Sequence, residues 1–258
     1  MAHDAHPPYA SLSQDGERLQ KVLARCGMGS RRSCEEIIIA HRVSVNGLPA
    51  HLGQRVDPLV DSVAVDGVPL PVMPGAVYYL LNKPQGVVTP AVAQDDRTVA
   101  LDLVPPDPRV FAVGRLDADS EGLLILTNDG ELAHRTAHPS HGVEKEYLVD
   151  VGRQPPAKAL RALREGVLLE DGMTMPAKVG VVAAGTIRIV VHEGRNRLVR
   201  RMCAAVGLPV NRLVRTRIGP IRDSTLRPGS WRPLARGEVR RLAEEAWSTG
   251  SDGSIAAE

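Results

Sequence analysis

The sequence predicts an α+β protein in which a small N-terminal α/β module precedes a larger domain with a mixed, mainly antiparallel sheet flanked by helices. Three observations support this prediction. The 258 residues suit one large domain or two smaller ones. Hydrophobic residues make up 43% of the chain, which is enough to form a buried core. Segments with strand and helix periodicity follow one another without the regular alternation that a parallel sheet requires.

Residues 17–70 are predicted to form the N-terminal module. Apolar residues from Leu19 to Cys26 follow helical spacing, and Ser30 is placed to cap a second helix. Two short apolar strands come next. Each is followed by an Asn-Gly or Asp-Gly dipeptide, which favours a tight turn.

The larger domain is predicted over residues 77–247, after a linker rich in proline and glycine at 71–76. We expect a disordered N-terminus at 1–16 and a flexible tail at 248–258, because both ends are polar and aperiodic. The predicted strands are Val77–Leu81, Gly122–Leu126, Lys145–Val151, Val179–Val182, Thr186–His192 and Asn211–Ile218. The predicted helices are Glu131–Ala137, Ala157–Arg164, Asn196–Val206 and Glu238–Ala246.

Several classes of protein are excluded by composition and motifs. Three cysteines are too few for a disulfide scaffold and fit a reducing compartment. No Cys/His spacing predicts a zinc site, and no glycine-rich motif predicts a nucleotide cofactor. No apolar run approaches the roughly 20 residues that span a bilayer, and we see no secretion signal. We therefore expect a cytoplasmic protein without metal, cofactor or membrane partner.

Positive charge is concentrated toward the C-terminal end of the chain. Twelve arginines and two acidic residues lie between Arg195 and Arg240, although the net charge of the whole chain is only +2. Guanidinium groups bind phosphate and stack on bases, so the pattern favours nucleic acid over an ordinary solvated face. Arg31 and Arg32 begin the second predicted helix, where they form either a phosphate site or a tolerated pair of exposed cations.

Residues 114–130, GRLDADSEGLLILTNDG, are the candidate for catalysis. Four acidic residues surround the apolar run Leu123–Leu126, which predicts a buried strand. A loop carboxylate beside such a strand and close to Arg115 suits an active site, but solvent-facing acids in a capped loop produce the same pattern. The residues alone do not distinguish Asp117 from Asp119.

This segment resembles the catalytic segment of the RsuA/RluB-type ribosomal RNA pseudouridine synthases. The module at 17–70 resembles the S4 RNA-binding domain that this family carries at its N-terminus. The resemblance covers residues 17–242 and implies an α+β enzyme without a cofactor. Four further stretches resemble family motifs in the same order: YLLNKPQG (79–86), KEYLV (145–149), EGRNRLVRRM (193–202) and LVRTRIGP (213–220).

The resemblance also implies roles for individual residues. Asp117 would be the catalytic aspartate, and Tyr147 would stack on the target base. We expect Arg200 to pair with the aspartate, and Arg195 is the second candidate for this partner. The chain departs from the family at Leu198, where Gln is common, so any polar contact at this position is lost or supplied by a neighbour. From charge and resemblance together, the residues expected to contact RNA are Arg31, Arg32, Lys83, Arg115, Arg197, Arg201, Arg215 and Arg217. For Lys83 and Arg115 the alternative is that they support the acidic loop.

The function implied by the resemblance is isomerisation of one ribosomal RNA uridine to pseudouridine, with 23S rRNA favoured over 16S rRNA. The alternative is a non-catalytic RNA-binding or ribosome-assembly factor that uses the S4-like module alone. The expected partner is ribosomal RNA, free or in an assembling subunit, and we expect a monomer.

Overall fold

The chain folds as two compact units, residues 1–74 and residues 75–258. Helices and sheets occur in both, which confirms the α+β class. No helix in the described part of the chain is long and apolar enough to cross a membrane. The computed structural model describes residues 16–57, 61–70, 75–89 and 98–248.

The predicted domain boundaries remain predictions. The predicted N-terminus at 1–16, linker at 71–76 and tail at 248–258 lie largely outside the described residues. The predicted module at 17–70 falls within the first unit, and the predicted domain at 77–247 falls within the second.

The N-terminal unit contains two helices and short antiparallel strands. Its elements are β1 (Glu17–Arg18), α1 (Leu19–Arg25), α2 (Arg31–Ile39), β2 (Val43–Val45), β3 (Leu48–Pro49), β4 (Arg55–Val56), β5 (Val63–Val65) and β6 (Val68–Pro69). The predicted cap of α2 is confirmed, because the Ser30 hydroxyl accepts a hydrogen bond from the Ser33 amide at 3.2 Å. The two tight turns are also confirmed, since Asn46 and Asp66 have positive φ angles of 54° and 51°.

The C-terminal unit is built on a nine-stranded sheet with four α-helices in the described residues. Its strands, with the separate hairpin β11–β12, are β7 (Tyr78–Lys83), β8 (Phe111–Ala112), β9 (Glu121–Thr127), β10 (Lys145–Asp150), β11 (Leu168–Leu169), β12 (Gly172–Met173), β13 (Lys178–Ala183), β14 (Thr186–Val191), β15 (Arg212–Ile218), β16 (Ile221–Arg222) and β17 (Trp231–Pro233). Its helices are α3 (Gly130–Ala137), α4 (Ala157–Glu165), α5 (Leu198–Ala205) and α6 (Arg236–Ser248).

The order of the main strands is β13–β14–β10–β15–β9–β7–β17. The pairing of β15 with β9 is parallel, and the other strand pairings in the described residues are antiparallel. The predicted mixed, mainly antiparallel sheet is therefore confirmed.

The parallel pairing brings the acidic loop, residues 114–120, next to β15. Gly122 at the start of β9 pairs with Arg215. Gly122 has a φ angle of +109°, and a Cβ atom there would lie 2.2 Å from the carbonyl oxygen of Arg215. Only glycine allows the two backbones to approach this closely. This contact fixes the end of the acidic loop against the middle of β15.

Helices α4 and α5 form the largest core of this unit with strands β10, β13 and β14. Val199, Met202 and Cys203 of α5 are buried there, as helical spacing requires. The helix begins at Leu198, two residues later than predicted, because Arg197 adopts a left-handed φ of 48°.

Candidate active site

A cavity of about 380 Å³ lies in the C-terminal unit between the acidic loop, strands β10 and β15, and the start of α5. A cavity of this size accommodates a small ligand or a single nucleotide. Five basic and two acidic side chains line it, so its electrostatic field favours an anionic ligand. The charged lining residues are Arg115, Asp117, Lys145, Glu193, Arg195, Arg197 and Arg215.

Asp117 is held in the cavity wall by its backbone, and its carboxylate is left open. The Ser120 amide donates a hydrogen bond to the Asp117 carbonyl at 3.0 Å, which closes the turn. Within the described part of the chain, no group donates a hydrogen bond to the carboxylate. The nearest cation is Arg197, whose Nη1 atom lies 3.9 Å from Oδ2. The carboxylate oxygens are therefore available to a ligand.

Asp119 is engaged within the protein, unlike Asp117. Its carboxylate accepts hydrogen bonds from Arg197 at 2.7 and 3.2 Å and lies 3.4 Å from Arg200 Nε. The hydrogen bond from Arg197 holds the pKa of Asp119 below its usual range. The structure therefore favours Asp117 as the reactive carboxylate, a choice that the residue pattern left open.

Tyr147 and Arg215 are direct neighbours across β10 and β15, and both line the cavity. Arg215 is 4% exposed, and it donates hydrogen bonds to the carbonyls of Leu123 at 2.7 Å and Arg115 at 3.2 Å. Its Nη2 atom is buried and has no hydrogen-bond partner among the described residues. Arg215 is thus a rigid cation in the cavity wall, with one buried donor group that no described residue engages.

The period of two along a strand predicts that Arg215 and Arg217 share one face of β15, and this prediction is wrong. The register between β10 and β15 shifts, so that Tyr147 lies opposite Arg215 while Glu146 lies opposite Arg217. The shift turns Arg217 away from the cavity. Its side chain is 12% exposed and forms ion pairs with Glu144 at 2.8 Å and Glu146 at 3.6 Å. These contacts do not support the predicted RNA contact of Arg217, which stays a prediction.

Of the two roles predicted for Lys83, support of the acidic loop agrees with its contacts better than RNA binding does. Its side chain is fully buried, and Nζ donates hydrogen bonds to the carbonyls of Pro84 at 3.0 Å and Val87 at 2.7 Å. Burial lowers its pKa to about 8. The same turn supports the acidic loop, because the Gly86 amide donates to the Ala118 carbonyl at 2.7 Å. Lys83 braces the turn and is not available to RNA.

The expected pairing of Asp117 with Arg200 is not present. Arg200 donates from Nη2 to the backbone carbonyl of Asp119 at 2.6 Å and from Nη1 to that of Val210 at 3.3 Å. Its side chain is 14% exposed. Arg200 therefore supports the acidic loop by bonding to the backbone of Asp119. The arginine at ion-pair distance from Asp117 is Arg197.

Arg195, the second predicted partner of Asp117, is turned toward the β11–β12 hairpin. It forms an ion pair with Glu193 at 2.8 Å and donates to the Gly172 carbonyl at 3.0 Å. Arg201 bonds to Asp171 of the same hairpin at 3.0 Å. Both arginines anchor this hairpin, and their predicted roles in pairing with Asp117 and contacting RNA are not supported by these contacts.

The remaining predicted positions divide between the two units. Arg31 and Arg32 are exposed in the first turn of α2, and Arg115 is exposed at the cavity. Their RNA contacts remain predictions. Leu198 is 5% exposed and contributes both to the core and to the cavity wall. An apolar side chain fits this position because no polar partner is needed there.

Sequence reasoning did not identify Lys145 as a site residue. It lies two positions before Tyr147 on β10 and lines the same cavity. The alternation of side chains along a strand was the available signal, since residues two apart share a face. Among the described residues, no cluster of three His, Cys, Asp or Glu side chains is arranged to hold a metal ion.

Comparison with known proteins gives a consistent result. Residues 77–205 match the RNA pseudouridylate synthase family model, and residues 17–58 match the S4 domain model. An RNA pseudouridine synthase of Mycobacterium tuberculosis is 46% identical over 91% of this chain and 96% of its own length. Ribosomal large subunit pseudouridine synthase B of Bacillus subtilis is 41% identical over 88% of this chain and 95% of its own length. A crystal structure of a pseudouridylate synthase has a TM-score of 0.61 and 32% identity, covering 88% of this chain and all of that one.

Proposed function

Because the chain belongs to the RNA pseudouridylate synthase family, we propose that it isomerises a uridine of large-subunit ribosomal RNA to pseudouridine. The observation that carries the proposal is the open carboxylate of Asp117, which shares a positively charged cavity with Tyr147 and Arg215. The large-subunit substrate is supported by the relative from Bacillus subtilis, whose name specifies that subunit.

The reaction breaks the N1–C1′ bond of uridine, rotates the uracil and forms a C5–C1′ bond. No electrons are gained or lost, and no group is transferred from a donor. The Asp117 carboxylate acts at the sugar, either by attacking C1′ or by removing a ribose proton. Its lack of hydrogen bonds leaves an oxygen free for either step.

The target base must leave its stack before it can enter the cavity, which costs a few kcal/mol. Stacking on the Tyr147 ring returns about 1–3 kcal/mol. Arg215 lines the cavity, and we propose that its unpartnered Nη2 donor binds a uracil oxygen or a phosphate oxygen when the nucleotide enters. Because Arg215 is held by two backbone carbonyls, its orientation requires little further ordering when the ligand binds.

The S4 domain contributes binding to RNA outside the cavity. Arg31 and Arg32 are exposed at the N-terminal end of α2, where backbone N–H groups also favour a phosphate. We further propose that the protein acts on this RNA as a monomer in the cytoplasm.

Substitution of the two loop aspartates tests the catalytic assignment. Asp117→Asn should slow pseudouridine formation by about 1,000-fold or more, with RNA affinity retained. Asp119→Asn changes the same chemical group in the same loop. It should slow pseudouridine formation by about tenfold or less, since Asp119 stabilises the loop and is not the reactive group. Equal losses in the two variants would contradict the assignment of Asp117.

Mapping of pseudouridines in ribosomal RNA, from cells with and without the protein, tests the substrate. We expect one site in large-subunit RNA to disappear. Loss of a site in small-subunit RNA would contradict the proposed substrate but retain the chemistry. An unchanged map, together with a defect in subunit assembly, would instead support the RNA-binding factor.

A further inference from the structure

Lys145 is a cavity residue to which the mechanism above gives no role. It shares a face of β10 with Tyr147, and two residues along a strand span about 7 Å. Its Nζ atom donates a hydrogen bond to the Thr136 carbonyl at 2.9 Å. The amine is therefore held at the cavity wall, on the face of β10 that also carries Tyr147.

The surroundings of Lys145 lower the pKa of its amine. Burial is the main cause, and the positive charge of Arg215 on β15 adds to it, while Glu245 on α6 acts in the opposite direction. Together they lower its pKa to about 8. A substantial fraction of the amine is therefore neutral at mildly alkaline pH and can accept a proton.

The other charged groups of the cavity are less suited to accept a proton from the base. The arginines remain protonated. Glu193 accepts hydrogen bonds from the Met175 amide at 2.9 Å and from Arg195 at 2.8 Å, so both of its oxygens are occupied. Asp117 is assigned to the sugar. Lys145 is the remaining charged group whose position and chemistry suit a proton acceptor near the uracil.

We propose that Lys145 moves the proton in the last step of the reaction, from C5 of the uracil to N1. The inference rests on the proposed isomerase activity. After the C5–C1′ bond forms, C5 carries both a hydrogen and the sugar, and N1 is doubly bonded to C6. The neutral amine takes the C5 proton, the C–H electron pair forms the C5=C6 bond, and the N1=C6 pair moves to N1. The ammonium group then gives its proton to N1, which restores the amine and completes pseudouridine.

Deuterium at C5 reports on this step directly. The substrate is large-subunit ribosomal RNA transcribed with uridine or with 5-deuterouridine, and single-turnover rates are compared. Removal of the acceptor makes breakage of the C5–H bond rate-limiting. Lys145→Met should therefore slow the reaction by about 100-fold or more and show a primary isotope effect larger than that of the unaltered protein.

Lys145→Arg separates proton transfer from a structural role. Arginine keeps the positive charge and a donor for the Thr136 carbonyl, but it does not release a proton. We expect it to be as slow as Lys145→Met, with the same isotope effect. Lys178→Met is the matched control, because Lys178 is 74% exposed and pairs with Glu144 away from the cavity; its rate and isotope effect should be unchanged.

Two outcomes would overturn the role of Lys145. One is a normal rate in Lys145→Arg, which would show that charge or packing suffices. The other is a slow Lys145→Met variant whose isotope effect equals that of the unaltered protein. Failure of the unaltered protein to form pseudouridine in the transcript with uridine or in that with 5-deuterouridine would instead refute the proposed function. Failure of the Lys145 role is therefore distinguishable from failure of the proposed function.

Discussion

The two faces of the paired strands β10 and β15 carry similar residue types and use them differently. On the cavity face, Tyr147 lies opposite Arg215, and no carboxylate lies within ion-pair distance of that arginine in the described residues. On the other face, Glu146 lies opposite Arg217, which is ion-paired with both Glu144 and Glu146. The charge of Arg215 is available to an anionic ligand, whereas that of Arg217 is neutralised within the fold.

The opposite face is a closed network of charges. Lys178 pairs with Glu144, and Arg222 lies 3.5 Å from the buried Glu146. Each carboxylate therefore has two cationic partners, counting Arg217. The comparison shows that the number of arginines in this segment does not identify the RNA surface. What distinguishes the cavity arginine, Arg215, from Arg217 is the absence of a carboxylate partner beside it in the described residues.

Replacement of Arg215 should produce the largest difference in turnover between variants of the two faces. Arg215→Met removes the buried donor and should lower turnover by about 100- to 1,000-fold. It also leaves the carbonyls of Leu123 and Arg115 without a donor, at a cost to folding of about 1–3 kcal/mol. Arg215→Lys, which keeps the charge but loses the planar fork, should also be slow. Turnover close to normal in Arg215→Lys would contradict a directional role for this donor.

Replacement of Arg217 should affect stability and leave the chemistry intact. Arg217→Met leaves the buried Glu146 with fewer cationic partners, and we expect a loss of about 3 kcal/mol in the free energy of unfolding. Turnover measured below the unfolding transition should stay near normal. Denaturant unfolding and single-turnover kinetics check the two parts. A large loss of turnover in a folded Arg217→Met protein would show that the two faces are coupled.

The smallest effect is expected from exposed arginines at the edge of each face. Arg115→Ala at the cavity should reduce the slope of log affinity against log salt by about 0.7, the value for one phosphate contact with a single strand. On the opposite face the side chain of Arg222 is 61% exposed, and Arg222→Ala should leave that slope unchanged. RNA binding measured between low and moderate salt distinguishes them. Equal changes would mean that RNA also covers the opposite face.

Much of the fold is predictable from local patterns. The spacing of apolar residues predicts the main strands and helices within a few residues, and the Ser30 cap and both tight turns are confirmed. The family resemblance based on five motifs is also confirmed by the comparisons. These features depend on residues near one another in the chain, where periodicity and turn chemistry act directly.

The roles of individual basic side chains are less predictable from sequence, because they depend on contacts over long sequence distances. Arg200 was expected at Asp117, but it reaches the backbone of Asp119 across 81 residues of chain. For Lys83 the residue type leaves RNA contact and loop support open, and the packing of its turn encloses it. In each case the residue type allows both roles, and the partner that folding places beside it determines which role it takes.

The sequence alone determined the α+β class and the family, because hydrophobic periodicity and short motifs are local properties. Tertiary structure alone decided that Asp117 stays open while Asp119 is bound, and that Arg215 faces the cavity while Arg217 faces away. A one-residue shift in strand register reverses the side to which a side chain points. That shift comes from the pairing of distant strands, and no segment of β15 read by itself contains it.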